Sequence, residues 1–441
     1  MHQNKKILVV YCDKPTRSSA IDLLYCYERY SDAMYFYYSI RRGKIPSNLL
    51  RIKFDLIIFH TLFISERWLG INNLKNNIYP LINSLKNKNV VKIVLPQDEW
   101  IHTEALNDFI NDFNVDIVYS VAPETEFKKI YNKVDFSKVK FQKVLTGYLD
   151  SDTTKKINHL ESKSIKRDID IGYRAFRAPA WLGSHGYLKT KIADVFEEES
   201  KKYNLKNSIS TRESDTILGD KWYEFLLSCK YVIGVEGGST VIDPYGFIWE
   251  KGTDYEKENP DASFNDFEKQ CFPGMDGNLN LVAISPRHLE ACSTKTCQIL
   301  VEGDYNGVLK ANIHYIELKK DFSNLQDVLN AVKDDKIRAK ITIQAHNDIV
   351  LSDRYSYNNF VNFILTSSLK SSSHSKVTVL DKFAHKLNAK NEILFQKKRI
   401  YNEKMERNKK YFLFTIKSLP YTVLIKLGFT SLIKKRLKIK Y

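Results

Sequence analysis

The sequence predicts an α/β protein built from two doubly wound domains that face a cleft, with a basic amphipathic tail behind them. Three observations predict it. Short continuous apolar runs alternate with amphipathic stretches, first over residues 1–150 and again over 167–368. A polar, Lys/Ser/Thr-rich segment at 151–166 separates the two series and reads as a linker. Most of the excess positive charge lies in the last segment, 369–441.

The first series opens with Lys6-Ile-Leu-Val-Val-Tyr11, a buried strand. A helix capped by Ser18 follows, with Ile21, Leu24 and Tyr25 on its apolar face. Ala33–Tyr38, Asp55–His60, Val90–Leu95 and Val115–Tyr119 are the next strands, with helices near 73–87 and 103–112. Continuous apolar strands separated by amphipathic helices mean a parallel sheet covered on both faces. The second series restarts at Ile169-Asp-Ile-Gly-Tyr173 and continues through helices 187–204 and 219–228. Strands Tyr231–Val235 and Cys297–Val301 follow, and helices near 323–334, 336–350 and 356–366 close the unit. No repeat of solenoid period is present. Two such halves joined by a linker create a cleft, the default place for a ligand.

Composition narrows the class. At 441 residues, 43% hydrophobic and 27% charged, the chain is ordinary for a globular protein of two or three domains. The apolar run Ile7–Cys12 is too short for a secretory signal, and no window is long and apolar enough to span a membrane. Six cysteines without Cys-x-x-Cys spacing read as reduced thiols of a cytoplasmic protein. The net charge of +16 is unevenly placed: Lys382–Tyr441 carries 17 Lys and Arg against Glu392, Glu403 and Glu406, a net of +14. A nearly neutral body argues against nucleic acid as partner, and the basic tail favours an anionic membrane surface. Residues 367–375 form a polar bridge to that tail, and 411–440 mixes aromatic and aliphatic residues with lysines.

Several stretches could carry chemistry. In Ser285-Pro-Arg-His-Leu-Glu290, Ser285 caps a helix and Pro286 fills its first turn. Arg287 and Glu290 then share one face, where an Arg can meet phosphate and a Glu can accept ribose hydroxyls; a surface ion pair is the plainer alternative. Strand 297–301 ends in Glu302-Gly-Asp-Tyr-Asn306-Gly307, a loop at a strand's carboxyl end, where ligands sit in such folds. Glu236-Gly237-Gly238-Ser239 also follows a strand, and its glycines permit close backbone approach; a tight turn is the alternative. Arg174 and Lys189, beyond strand 169–173, could neutralise a diphosphate. Asp98 and Glu99, beyond strand 90–95, could bind an acceptor hydroxyl or act as base. His60 is more simply structural. Asp168-Ile-Asp170 begins a strand, at the wrong end of the sheet for a metal site, so no metal is implied.

At these residues the chain resembles bacterial glycosyltransferases of the GT-B fold, in the family 1-like, surface-polysaccharide branch. The resemblance rests on Arg287-His-Leu-Glu-Ala-Cys292, Gly307-Val-Leu, His314-Tyr315 and Asp321-Phe-Ser-Asn-Leu325. Tyr173-Arg174, Leu182-Gly183, Glu236-Gly-Gly-Ser239, Phe272-Pro-Gly274, Asp276-Gly-Asn278, Gln97-Asp-Glu99 and Leu145-Thr-Gly-Tyr148 belong to it too. It implies two Rossmann-like domains, the acceptor on the first and a nucleotide-sugar on the second. It implies that Glu290 binds the donor ribose, that Arg287 assists at the nucleotide, and that Arg174 and Lys189 meet the diphosphate. Retaining members often carry a second glutamate eight positions earlier, where this chain has Val282, so the stereochemical outcome stays open.

The resulting expectation is an enzyme that transfers a sugar from a nucleotide-diphosphate sugar to a glycan or lipid-linked acceptor, at the inner face of a bacterial membrane. Asp98, Glu99 and Arg174 are its candidate catalytic residues. Lys189, Glu236, Gly237, Gly238, Ser239, Arg287, Glu290, Glu302, Asn306 and Gly307, with Arg174, are its candidate donor contacts. No cofactor and no metal are expected. A sugar-nucleotide epimerase and a non-catalytic membrane scaffold are the rival readings.

Overall fold

A computed structural model describes residues 4–13, 17–163, 165–369 and 376–418, with side chains up to 406. The chain divides into two units, Met1–His385 and Lys386–Tyr441. The first unit holds both sheets. Of the expected polar bridge, 370–375 lie outside the described residues, as does the expected tail beyond 418.

The first sheet contains β1 (Lys6–Tyr11), β2 (Met34–Ser39), β3 (Leu56–Phe59), β4 (Val91–Val94), β5 (Ile117–Ser120) and β6 (Lys140–Lys143). Its order is β2-β1-β3-β4-β5-β6, and every pair is parallel. Strand β6 escapes the apolar-run reading because Lys-Phe-Gln-Lys is an edge strand with polar residues. Helix α1 (Ser18–Arg29) is preceded by Arg17 at the cap position, so Ser18 is its first residue rather than its cap. Helix α2 (Thr103–Asp112) forms where expected. The expected helix near 73–87 is a chain of short helical turns between 61 and 85.

Helix α3 (Ser151–Glu161) occupies most of the segment read as a linker. Asp150 caps it, accepting from the N–H groups of Asp152 and Thr153 at 3.0 Å. Only Ile157 and Leu160 are buried in it, packed on Tyr223 and Leu227, which is why its composition looks like a linker.

The second sheet contains β7 (Ile169–Arg174), β8 (Asn207–Ser210), β9 (Cys229–Gly234), β12 (Cys297–Val301) and β13 (Ile316–Leu318) in the order β13-β12-β9-β7-β8, again all parallel. Between β9 and β12, β10 (Gly237–Ser239) and β11 (Leu281–Ala283) form an antiparallel pair. Gly238 is obligatory there: its φ is +132°, and a Cβ would strike the Leu281 carbonyl oxygen. The helices of this half are α4 (Gly183–Lys202), α5 (Asp220–Ser228), α6 (Phe247–Glu258), α7 (Phe264–Cys271), α8 (Pro286–Ser293), α9 (Leu325–Ala331) and α10 (Asp335–Ala345).

Helix α11 (Tyr357–Ser368) follows the second sheet in sequence but packs on the first. Tyr357, Phe360, Val361, Ile364 and Leu365 share one buried cluster with Ile7, Val9, Tyr27 and Ile58. The helices expected to close the second half therefore part company at α11, which returns to the first. Helix α12 (Val379–Ser418) begins in the first unit, where Lys6 and Asp381 form an ion pair at 3.1 Å.

The two halves share a core on one side. Trp100 stacks on Trp181 at 5.3 Å, and Trp68 meets the edges of Trp100 at 5.5 Å and Trp249 at 6.4 Å. Backbone bonds join the same side: Asp243 N–H donates to Trp100 O at 2.7 Å, and His102 N–H donates to Asp243 O at 2.8 Å. This clasp sets the carboxyl-end loops of β4 and β7 close to each other.

Candidate active site

In each sheet the chain reverses its winding beside the first strand of the set. The second sheet reverses between β7 and β9, and that switch point is where open parallel sheets hold ligands. A recess lies there, between the sheet and helices α5 and α8. Trp222, Phe225, Val232 and Leu300 give it an apolar wall, while Arg174, Arg287 and His288 supply polar groups. Gly172 and Gly234 keep the sheet surface low. A Cβ at Gly172 would meet Phe225 and Cys229, and one at Gly234 would meet Leu300 and His288.

Arg174 ends β7. Its Nη1 donates to Tyr173 O at 2.8 Å and Ser208 O at 2.6 Å, and its Nη2 to Ser208 Oγ at 2.9 Å. The guanidinium stacks over Phe225 at 4.6 Å, and its buried Nε has no partner within the protein. Arg287, on the first turn of α8, donates from Nη1 to Arg174 O at 3.0 Å. The expected helix start is present: Pro286 fills the first turn and Ser285 is the cap residue, whose N–H donates to His288 Nδ1 at 3.2 Å. Burial, with Arg287 and Lys189 nearby, holds His288 neutral, its value pushed down to about 3. Its buried Nε2 is unpartnered.

Glu290 turns toward α5, where Oε2 accepts the Trp222 indole N–H at 2.8 Å. Burial raises its carboxyl, opposed by that bond and by Arg287. Lys189, on α4, is half-buried, and burial together with the charge of Arg287 pushes it down to about 8. The opposing influence is Asp98, from the first sheet.

Asp98 is exposed to solvent, and partial desolvation by nearby protein raises its carboxyl, opposed by Arg67 and Lys189. Asp98 has a left-handed backbone, φ +51°. Arg67 enforces this from below. Fully buried, it donates to Ile64 O at 3.0 Å, Gln97 O at 2.6 Å and Asp98 O at 2.7 Å. Arg174 and Arg287 are thus in contact, and Lys189 lies within electrostatic reach of Arg287 and of Asp98.

Other expected site residues have structural partners. Glu99 points into the first half, fully buried, where Oε2 accepts from Ser120 Oγ at 2.6 Å and Oε1 from Val121 N–H at 3.0 Å. It faces away from the cleft and cannot act there as base. Glu236 is buried, and its Oε1 accepts the Tyr305 N–H at 2.7 Å, so it staples a loop rather than a ligand. Gly237 and Gly238 are paired in β10, and Ser239 is buried, donating to Leu182 O and Val241 O. Glu302 is held by Lys319 at 3.2 Å and the Lys320 N–H at 3.1 Å. Asn306 Oδ1 accepts the Ile284 N–H at 2.6 Å, and Ile284 O accepts from Thr146 of the other half. Gly307 takes the left-handed conformation with open space around its α-carbon. These groups build the loops around the recess.

Trp222, Phe225, His288 and Arg67 escaped the sequence reading. Trp222 and Phe225 look like ordinary apolar positions of a helix. Nothing in sequence separates Arg67 from a surface arginine. Among the described residues, Cys12, Asp13 and Glu66 place their ligand atoms within 4.8 Å of one another. Arg41 pairs with Asp13 at 3.3 Å and Glu66 at 2.9 Å, supplying the positive charge an ion would bring. Asp168 and Asp170 pair with Lys206 and Lys230 at 2.8 Å, at the amino end of the sheet.

No protein-family model matches the chain, and no curated protein matches its sequence. Several solved structures are similar to it at low identity, three of them as follows. Anabaena Alr3699/HepE in complex with UDP and glucose is 10% identical over 82% of this chain and 100% of that one, TM-score 0.45. A glycosyltransferase from Rickettsia africae is 12% identical over 83% and 98%, TM-score 0.46. AviGT4, a glycosyltransferase involved in avilamycin A biosynthesis, is 9% identical over 82% and 97%, TM-score 0.42.

Proposed function

We propose that the protein is a glycosyltransferase that moves a sugar from a nucleotide-diphosphate sugar to a glycan or lipid-linked acceptor, in the building of a bacterial surface polysaccharide. One observation carries the reading. Arg174 and Arg287 line the recess at the switch point of the second sheet, and Lys189 lies within electrostatic reach of Arg287 and of Asp98 from the first. The apolar wall of Trp222 and Phe225 suits a nucleobase, and Glu290 beside it suits ribose hydroxyls. Arg287 and Lys189 meet the diphosphate, whose charge grows as the bond from the sugar's anomeric carbon to phosphate oxygen breaks. Arg174 supports them with its charge while its own donors hold β8. The acceptor oxygen forms the new bond to that carbon, and Asp98 receives its proton. The basic tail suits an acceptor held at an anionic membrane surface, with the enzyme peripheral at the cytoplasmic face.

A thermal-shift screen with UDP, GDP, CMP, dTDP and their sugar conjugates tests the donor site. A ligand at about 100 times its dissociation constant stabilises the native state by about 2.7 kcal/mol. A shift confined to one nucleotide family, lost in Glu290→Ala with the fold intact, supports the reading. No shift with any nucleotide, or an unaltered shift in Glu290→Ala, counts against it.

A further inference from the structure

Among the described residues that line the recess, two buried polar atoms have no partner, Arg174 Nε and His288 Nε2. Both are N–H donors, and the surroundings of His288 show which of its nitrogens carries the proton. A backbone N–H can only donate, so the bond from Ser285 N–H to His288 Nδ1 at 3.2 Å leaves Nδ1 without a proton. Burial keeps the ring neutral, and its one proton therefore sits on Nε2. The side chain is 1% exposed, and its ring is held in place. Tyr305 meets it at right angles at 5.3 Å, and Gln298 Nε2 donates to the His288 carbonyl oxygen at 3.2 Å. A buried donor without an acceptor destabilises a fold. At the carboxyl end of a parallel strand, it marks a place for a ligand's acceptor.

The surroundings also say which acceptor. Nε2 faces the space that Gly234 leaves open at the end of β9, where a Cβ would stand 3.3 Å from it. Trp222, Phe225 and Leu300 line the same recess with apolar surface. Arg287 and Lys189 keep partial access to water and suit the diphosphate, whereas His288 is sealed from it. A phosphate oxygen stripped of water against one neutral N–H is unfavourable, because a buried charge needs a counter-charge. A keto oxygen is neutral and needs only the donor. An amino group in its place would set N–H against N–H.

We infer that His288 Nε2–H selects the nucleobase of the donor by donating to a keto oxygen on the base edge far from the ribose. Uracil and guanine present such an oxygen, and cytosine and adenine present an amino group there. This rests on the nucleotide-sugar reading of the recess and names the class of base it takes.

Titration calorimetry on the full chain with two matched pairs tests it: UDP against CDP, and inosine diphosphate against ADP. Each pair exchanges a keto oxygen for an amino group at that edge. In the pair whose ring fits, the keto member should bind at least about tenfold tighter. His288→Asn can still accept the Ser285 N–H through Oδ1, but it lacks the second nitrogen. Its preference should fall to about twofold or less. A purely structural role would weaken both members alike and keep their ratio, and that result would overturn the inference. Equal affinity within both pairs in the wild type, or tighter binding of the amino member, would also overturn it and leave a nucleotide site standing. If the variant does not fold, nitrogen-15 spectra of the wild type decide. The His288 Nε2–H signal should shift with the keto nucleotide and not with its amino partner, and an unmoved signal sinks the inference. Binding of none of the four nucleotides overturns the donor site itself, and this inference with it.

Discussion

The Arg67 guanidinium donates to the backbone carbonyl of Asp98 at 2.7 Å, from a side chain with no exposure to solvent. The same group reaches Gln97 O at 2.6 Å, so two successive carbonyls of a left-handed turn converge on one cation. Removing that cation strands buried acceptors. Arg67→Met should cost roughly 3–5 kcal/mol in urea unfolding. Arg67→Lys keeps the charge without the fork. It should lower kcat much more than it alters the donor KM, because it displaces Asp98 and leaves the recess intact.

Lys189 should make nucleotide binding pH-dependent. In the free protein it is pushed down to about 8, chiefly by burial and then by Arg287. A bound diphosphate favours the ammonium and raises that value. Affinity is then full below about pH 8 and falls as pH rises through it, with proton uptake on binding. Calorimetry in buffers of different ionisation enthalpy should detect the proton. In Lys189→Met the uptake should vanish and the pH profile flatten.

Glu236 titrates in the opposite sense from a typical surface carboxylate. Burial raises it to about 7, against the lowering influence of the Tyr305 N–H. The folded state therefore binds its proton more tightly than the unfolded chain does, and stability is lost as pH rises from about 4.5 through 7. Glu236→Gln keeps an acceptor for Tyr305 and removes the titration. Relative to wild type, the variant should gain roughly 2–3 kcal/mol between pH 4.5 and pH 8 in urea melts. A difference that stays constant with pH would refute this.

The bond from Trp222 to Glu290 should matter for the donor more than for the fold. Trp222→Phe keeps an aromatic wall beside Phe225 and deletes the indole N–H that fixes the carboxylate. Donor affinity should fall about tenfold, in line with the loss of one hydrogen bond to a charged group. The melting temperature should move by only a few degrees. An unchanged donor affinity would remove Glu290 from the ribose.

Much of the fold was legible because a buried parallel strand cannot hide. Ile7–Val10, Leu56–Phe59 and Ile299–Val301 are apolar without interruption, since both faces of the sheet are covered. Strands β6, β8 and β13 were not legible: each lies at the edge of its sheet and mixes polar residues with apolar ones. The start of α8 was legible from Ser285 and Pro286, because capping chemistry is local. So was the gathering of Arg174 and Arg287, since both lie at a strand end or a helix start. Glu99, Glu236 and Asn306, expected at the site, each hold backbone groups of the protein. At the same strand ends, a carboxylate that holds a loop and one that holds a ligand have the same sequence signature.

By itself the sequence determined the alternation of strand and helix, the division into two doubly wound halves, and the concentration of charge at the C-terminal end. Those follow from hydrophobic periodicity and composition, which act over a few neighbouring residues. Tertiary structure alone decided that α11 returns to the first sheet, that Asp98 rather than Glu99 faces Lys189, and that Arg67 sets this choice. The physical reason is common to all three. A hydrogen bond or a buried face is specified by distance in space, and its partners lie 30 to 245 residues apart along the chain. Which of two adjacent carboxylates turns inward is settled by whichever satisfies a buried donor, and that donor is brought there only when the sheet closes.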